Sequence, residues 1–175
     1  GKKFSVGVSI NNLSLNENDI GEFKTFLKIS PPLRTEEDRL SLVQGIRENL
    51  IDVIVSDHLP EDEESKRLPF AKAATGAIGI ETLLPLALEM YHNESLSLEK
   101  IIETITINPS KILKINKGTL KKGADGDICI FDLEAPWKLE AEKLKSKSKN
   151  TAIENRKLQG KVLMTFLNGE LVFNQ

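Results

Sequence analysis

The run Val53-Ile54-Val55, which stops on Ser56-Asp57-His58, constrains the fold of this chain more than any other stretch. Three consecutive β-branched residues fit a strand buried on both faces, as in a parallel sheet covered by helices. An aspartate at the carboxyl end of such a strand projects into the space onto which the sheet opens. That is where α/β folds, barrels included, place their chemistry. The residues upstream supply partner elements. FSVGVSI reads as a strand, and TEEDRLSLVQGIRENL as a helix, with Thr35 as N-cap, acids in the first turn and Leu40, Val43, Ile46 and Leu50 at helical spacing. Strand, helix, strand in this order predicts a parallel βαβ unit. Between them lie a polar loop with turn formers at Asn16, Asn18 and Gly21 and the extended segment LKISPPLR, where Pro31 and Pro32 exclude helix for the residues before them.

Downstream of His58, LPEDEESKRLPFAKAATGAIG is a loop of the length that is usually functional or disordered. Helix returns in IETLLPLALEMYHN, where Pro85 is expected to kink or crowd the first turn, and in LSLEKIIETITINPSKILKI, with a break at Asn108-Pro109. From Lys117 the character changes to short strands with glycine turns, and FLNGELVF carries the Asn-Gly signal of a tight hairpin. The Lys and Ser run within APWKLEAEKLKSKSKNTAIENR reads as a solvated loop. The chain thus divides into an α/β part, residues 1–115, and a small β unit, residues 116–175. Neither is complete, because two or three parallel strands cannot close a barrel and a strand such as IDVIVS needs neighbours on both sides.

Composition narrows the functional classes. A chain of 175 residues, 39% hydrophobic and 29% charged, suits one ordinary domain and has no apolar run long enough to span a membrane. With 24 Lys+Arg against 26 Asp+Glu, the net charge of -2 leaves no electrostatic footprint for nucleic acid. The single cysteine, Cys129 in DICIFD, cannot form an internal disulfide; it is expected to be a buried small hydrophobe in a cytoplasmic protein. The amino-terminal GKKFSVGVS lacks the apolar core of a signal peptide.

The run VSDHLPEDEESKRLPFAKAATGAIGIETLLPLAL, with SPPLRTEEDR before it and KGADGDICIFD and SKSKNT after it, resembles the carboxyl-terminal half of a dihydroorotase of the longer-chain bacterial type. These are zinc hydrolases of the amidohydrolase superfamily. The resemblance implies part of a (β/α)₈ barrel followed by part of a β-sandwich, with FSVGVSI, the ISPP region and IDVIVS similar to the sixth, seventh and eighth barrel strands. It implies the reversible cyclisation of N-carbamoyl-L-aspartate to dihydroorotate in pyrimidine synthesis. By the same resemblance, Asp57 is the aspartate that contacts a catalytic metal and acts as general base toward metal-bound water. From the residues alone, a cap on the following turn fits Asp57 equally well. His58, next to it, is expected to make a structural hydrogen bond.

Departures from the family pattern fall at the site itself. Asn12, in INNL, stands where the family's sixth strand ends in a metal-binding histidine, and a neutral amide oxygen is a poor substitute for imidazole on zinc. Glu61 stands where many relatives grip a substrate carboxylate with histidine, and Ser30 where they have asparagine before PPLR. Thr75 and Gly76 align with the loop whose backbone contacts the pyrimidine ring; Gly76 and Gly79 permit close backbone approach or simply lead into a helix. Lys66 and Arg67 are expected to be solvated loop charges, in preference to a replacement for the positive charge missing at Glu61, and His92 a surface residue at a helix end. The expected metal positions in this chain are therefore Asp57 and the replaced position Asn12, too few for zinc. The resemblance admits an enzyme portion completed by an amino-terminal half or by self-association. It equally admits a non-catalytic subunit, paired with aspartate transcarbamoylase as some inactive family members are. By itself the chain is expected to be inactive.

Overall fold

The computed structural model of the protein describes residues 4–175. Strand β1 (Gly7–Ser9) passes directly into the short helix α1 (Ile10–Ser14), whose start is capped by the Ser9 hydroxyl accepting from Asn11 N–H at 3.3 Å. Two 3-10 turns (Glu17–Ile20 and Thr25–Leu27) then lead to α2 (Glu36–Arg47). There the expected Thr35 cap is part of a capping box with Asp38. Strand β2 (Val53–Val55) follows and pairs in parallel with β1, from Gly7↔Val53 to Ser9↔Val55, so the βαβ unit forms as its pattern requires.

Two local expectations change here. β1 and β2 hydrogen-bond to each other directly, so the ISPP segment is not a strand between them. Pro31 and Pro32 have no N–H to give to a ladder, and the Ser30-Pro31 bond is cis. Nor is β2 buried on both faces: Ile54 is buried but Val55 is exposed. Val43 and Ile46 of α2 join the core, whereas Leu40 and Leu50 stay exposed.

Helix α3 (Glu63–Lys66) interrupts the long loop, and α4 (Leu83–His92) runs through the centre of the molecule with Leu86, Ala87 and Leu88 fully buried. Pro85 falls in its first turn, where no intrahelical N–H is required, and is accommodated there. The next two helices, α5 (Leu98–Ile105) and α6 (Ile107–Leu113), break at Thr106. The break precedes Asn108-Pro109 because Pro109 cannot donate one turn back and so becomes a first-turn residue of α6. An antiparallel meander closes the chain: β3 (Ile128–Lys138), β4 (Lys157–Leu167) and β5 (Glu170–Asn174). Its β4–β5 hairpin turns on Asn168 and Gly169, both at positive φ, as the Asn-Gly signal predicts.

One core joins the two regions, because Leu139, Leu144, Ile153 and Leu158 pack in the same cluster as Val8, Ile54 and Leu86. Each fully buried leucine contributes about 2 kcal/mol of hydrophobic stabilisation. The outer part of the meander is different. Ile128, Ile130, Met164 and Leu171 are exposed, and Cys129 beside them is exposed as well rather than buried. Among the described residues nothing covers that end of the sheet, which is why its apolar pattern does not translate into burial.

Candidate active site

Parallel pairing gives β1 and β2 a common carboxyl edge, with Asn12 three residues past the end of β1 and Asp57 two residues past the end of β2. Asp57 leaves β2 with φ of 48°, in the left-handed region that is uncommon for residues other than glycine, though less so for aspartate. Its neighbours carry the capping work of the following turn. His58 Nδ1 accepts from the Gly79 and Ile80 amides at 3.1 and 3.4 Å, and Asp62 caps α3 by accepting from Ser65 N–H at 2.9 Å. An accepting Nδ1 places any proton of neutral His58 on Nε2.

Asn12 sits in α1, just past β1, and is buried. Its Nδ2 donates to the Pro31 and Pro32 carbonyls at 3.4 and 3.2 Å, which brings Ser30 to the same edge; Ser30 itself is exposed. The Asn12 Oδ1 is buried with no hydrogen-bond partner. Adjoining Asp57, the loop that contains Thr75 and Gly76 is tied in by a parallel bridge between His58 and Ala77 and by Leu59 N–H donating to Ala77 O at 2.9 Å. Thr75 is half-buried and Gly76 is buried, with φ of 148°, so only glycine fits. Glu61 is half-buried, and its N–H donates to Asn150 Oδ1 at 3.2 Å.

Two residues that the sequence placed in solvent instead hold this loop. Lys66 is fully buried, and its Nζ donates to the carbonyls of Lys28, Ala74 and Gly76 at 3.3, 2.9 and 2.9 Å. Burial pushes its pKa down, the nearby Glu61 charge opposes that shift, and the Lys28 charge adds to it. Asn150, in the Lys and Ser run, is also buried, and its Nδ2 donates to Leu59 O at 3.1 Å and Gly76 O at 3.2 Å. That run is therefore not a solvated loop throughout. Lys145 and Ser146 amides donate to the Glu81 carboxylate, each at 3.0 Å, and Thr151 is buried. A lone asparagine in a basic run gives no pattern by which sequence could assign it three backbone partners. Arg67 does behave as a solvated charge, paired with Glu63 at 2.5 Å. His92 is half-buried rather than a surface residue, and its Nε2 has no partner.

Two parallel strands with helices behind them, Asp57 and Asn12 just past their carboxyl ends, and an antiparallel meander packed alongside define a segment of an α/β barrel with an attached β unit. The profile described as "Amidohydrolase family" matches residues 10–172, and the chain belongs to that family. Among curated relatives, the dihydroorotase of Ehrlichia canis (strain Jake) is 43% identical over 173 residues, which is 99% of this chain and 39% of that protein. The dihydroorotase of Aquifex aeolicus is 40% identical over 173 residues, 99% of this chain and 41% of that protein. Among solved structures, L-hydantoinase (dihydropyrimidinase) from Arthrobacter aurescens superimposes with a TM-score of 0.88 at 31% identity, covering 97% of this chain and 39% of that chain. A D-hydantoinase reaches 0.89 at 23% identity, a likeness of fold, covering 98% of this chain and 39% of its own. The chain thus spans about two-fifths of the relatives it matches, and its fold is part of their barrel.

Amidohydrolases are generally metal-dependent, so the donor set can be tested against a metal. Among the described residues no group of three or more His, Cys, Asp or Glu side chains could hold one. Asn12 commits its amide nitrogen to two proline carbonyls and has only one neutral oxygen left. The described side chains alone do not fit a zinc centre. The described residues also include no helix long and apolar enough to cross a membrane.

Proposed function

We propose that the protein carrying this chain is a dihydroorotase-like hydrolase of a cyclic amide, acting on dihydroorotate and N-carbamoyl-L-aspartate in cytoplasmic pyrimidine synthesis. The observation that carries the proposal is Asp57, held in a left-handed conformation at the carboxyl end of β2 while His58 and Asp62 cap the turn beyond it. A carboxylate so freed can take a proton from an attacking water and return it to the leaving ring nitrogen, the general acid–base work that opening a cyclic amide requires. Identity near 40% to several dihydroorotases across this stretch supports the choice of substrate.

In this proposal Ser30, Thr75 and Gly76 line the substrate side, and Glu61 replaces a cationic grip with a negative charge. Residues 1–115 are barrel and 116–175 are sandwich strands. Zinc would be held by residues outside this chain together with Asp57, and the chain by itself is inactive until a complementary barrel portion, a second copy or a partner such as aspartate transcarbamoylase completes it. Substituting Asp57→Asn in the protein as isolated from its cells should reduce dihydroorotate hydrolysis about 10²- to 10⁴-fold with unchanged melting. Retained turnover would refute the role of Asp57.

A second proposal is a non-catalytic subunit. It is favoured by Asn12, whose amide serves as a clamp on the Pro31-Pro32 backbone where a metal ligand is expected. Complete absence of turnover in the intact assembly, with the fold preserved, selects it.

A further inference from the structure

Lys66 is an ammonium with no exposed surface, and its three hydrogen-bond partners are all main-chain carbonyls. An ammonium has three N–H donors, and here each has one acceptor. Enclosing such a charge is unfavourable, and a methionine of similar length would fill the space without that cost. The arrangement therefore calls for a reason beyond packing.

The carbonyls belong to two segments, the stretch at Lys28 and the glycine loop at residues 74–76. Lys28 O accepts from Lys66 Nζ and also from Gly76 N–H at 2.9 Å, so Lys66 closes a ring between the segment before Pro31 and the glycine loop. The Lys28 ammonium extends the ring by donating to Ala71 and Ala73 carbonyls at 3.1 and 2.8 Å. Carbonyls of residues 71, 73, 74 and 76 are thus collected by two lysines. A trans peptide plane points its C=O and the following N–H in opposite directions. Holding the Ala74 carbonyl on Lys66 accordingly turns the Thr75 N–H away from the ammonium, and among the described residues no acceptor takes that N–H.

We propose that Lys66 is a positioning residue: by gathering the carbonyls of Ala74 and Gly76 it presents the Thr75 N–H as a free donor beside the Asp57 edge, for a carbonyl or carboxylate oxygen of the substrate. The substrate part rests on the function proposed above; the latch part does not. The lowered pKa agrees with an ammonium kept at a cost.

The first test needs no activity. In the wild-type protein, a slowly exchanging Lys66 ammonium signal correlated by NMR with the Gly76 carbonyl carbon is expected, and its absence overturns the latch. In Lys66→Met, amide hydrogen exchange at residues 76–78 should accelerate at least about tenfold while α2 and β4 keep their rates. Unchanged exchange, or a uniform rise everywhere, overturns it. The second test uses the protein that turns over dihydroorotate. Lys66→Met should raise KM about tenfold with little change in kcat, and propylammonium should partly restore KM in Lys66→Ala. A fall in kcat at constant KM, or no rescue, overturns the positioning role. Lack of any turnover in the wild-type protein instead defeats the proposed function, and the latch is then decided by the NMR and exchange results alone.

Discussion

Replacing Gly76 by alanine adds one methyl group where the backbone leaves no room for it. A Cβ built there would lie 2.8 Å from both Cγ and Cδ2 of Leu59 and 2.9 Å from Leu59 O, with the residue at φ of 148°. The conformation alone costs an L side chain about 1 to 3 kcal/mol, and overpacking against a bridged backbone about 1 to 3 kcal/mol more. Gly123→Ala is the matched control, because its φ of 86° is also positive but nothing lies within 4 Å of its Cβ. It should lose only about 1 kcal/mol. For a chain of this size each kcal/mol lowers Tm by about 2 to 4 °C. Thermal unfolding followed by circular dichroism should therefore show Gly76→Ala melting about 4 to 24 °C lower and Gly123→Ala about 2 to 4 °C lower. If Gly76→Ala is no worse than Gly123→Ala, the close contact between the glycine loop and Leu59 does not exist in solution.

Three further outcomes follow from other parts of the molecule. Asn150→Ala removes two donors and one acceptor from the backbone of residues 59, 61 and 76 and should cost about 2 kcal/mol, read as a lower urea midpoint at constant slope. Hydrogen bonds from Arg39 first and Asn16 second pull the Glu36 carboxyl down from 4.5 to about 2, so its stabilisation is complete above pH 4.5 and is lost as pH falls toward 2. Solvent screening keeps that contribution under about 1 kcal/mol, and Arg39→Met should flatten the acid limb of the stability profile over that window. Asn12→His should raise the zinc content of the assembled protein, measured by elemental analysis, while releasing the Pro31-Pro32 clamp.

Features governed by local chemistry were legible in the sequence. Thr35 caps a helix because an acceptor three residues ahead of Asp38 satisfies an orphan amide, and Asn168-Gly169 turns a hairpin because both residues tolerate positive φ. Asp57 stood out because an apolar strand ended on it. What stayed hidden depends on partners distant in sequence. Lys66 and Arg67 read alike as loop charges, yet only Lys66 meets three carbonyls, one of them 38 residues away. Cys129 read as core because its neighbours are apolar, but the sheet face around it has no described cover. The Thr106 break was misplaced by two residues because a proline interrupts hydrogen bonding one turn before itself.

The ties from Asn150 to Leu59 and Gly76 span 91 and 74 residues of chain. On a ribosome adding about 5 to 20 residues per second, the glycine loop waits about 4 to 15 s after its own synthesis before Asn150 is made. During that interval Lys28 and Lys66 are the clasps already at hand, and the loop edge beside Asp57 is only partly fastened. A polypeptide released before residue 150 would keep the strand that ends at Asp57 but never complete the loop beside it, so an unfinished chain is left open to proteolysis at the same place where a finished one is closed.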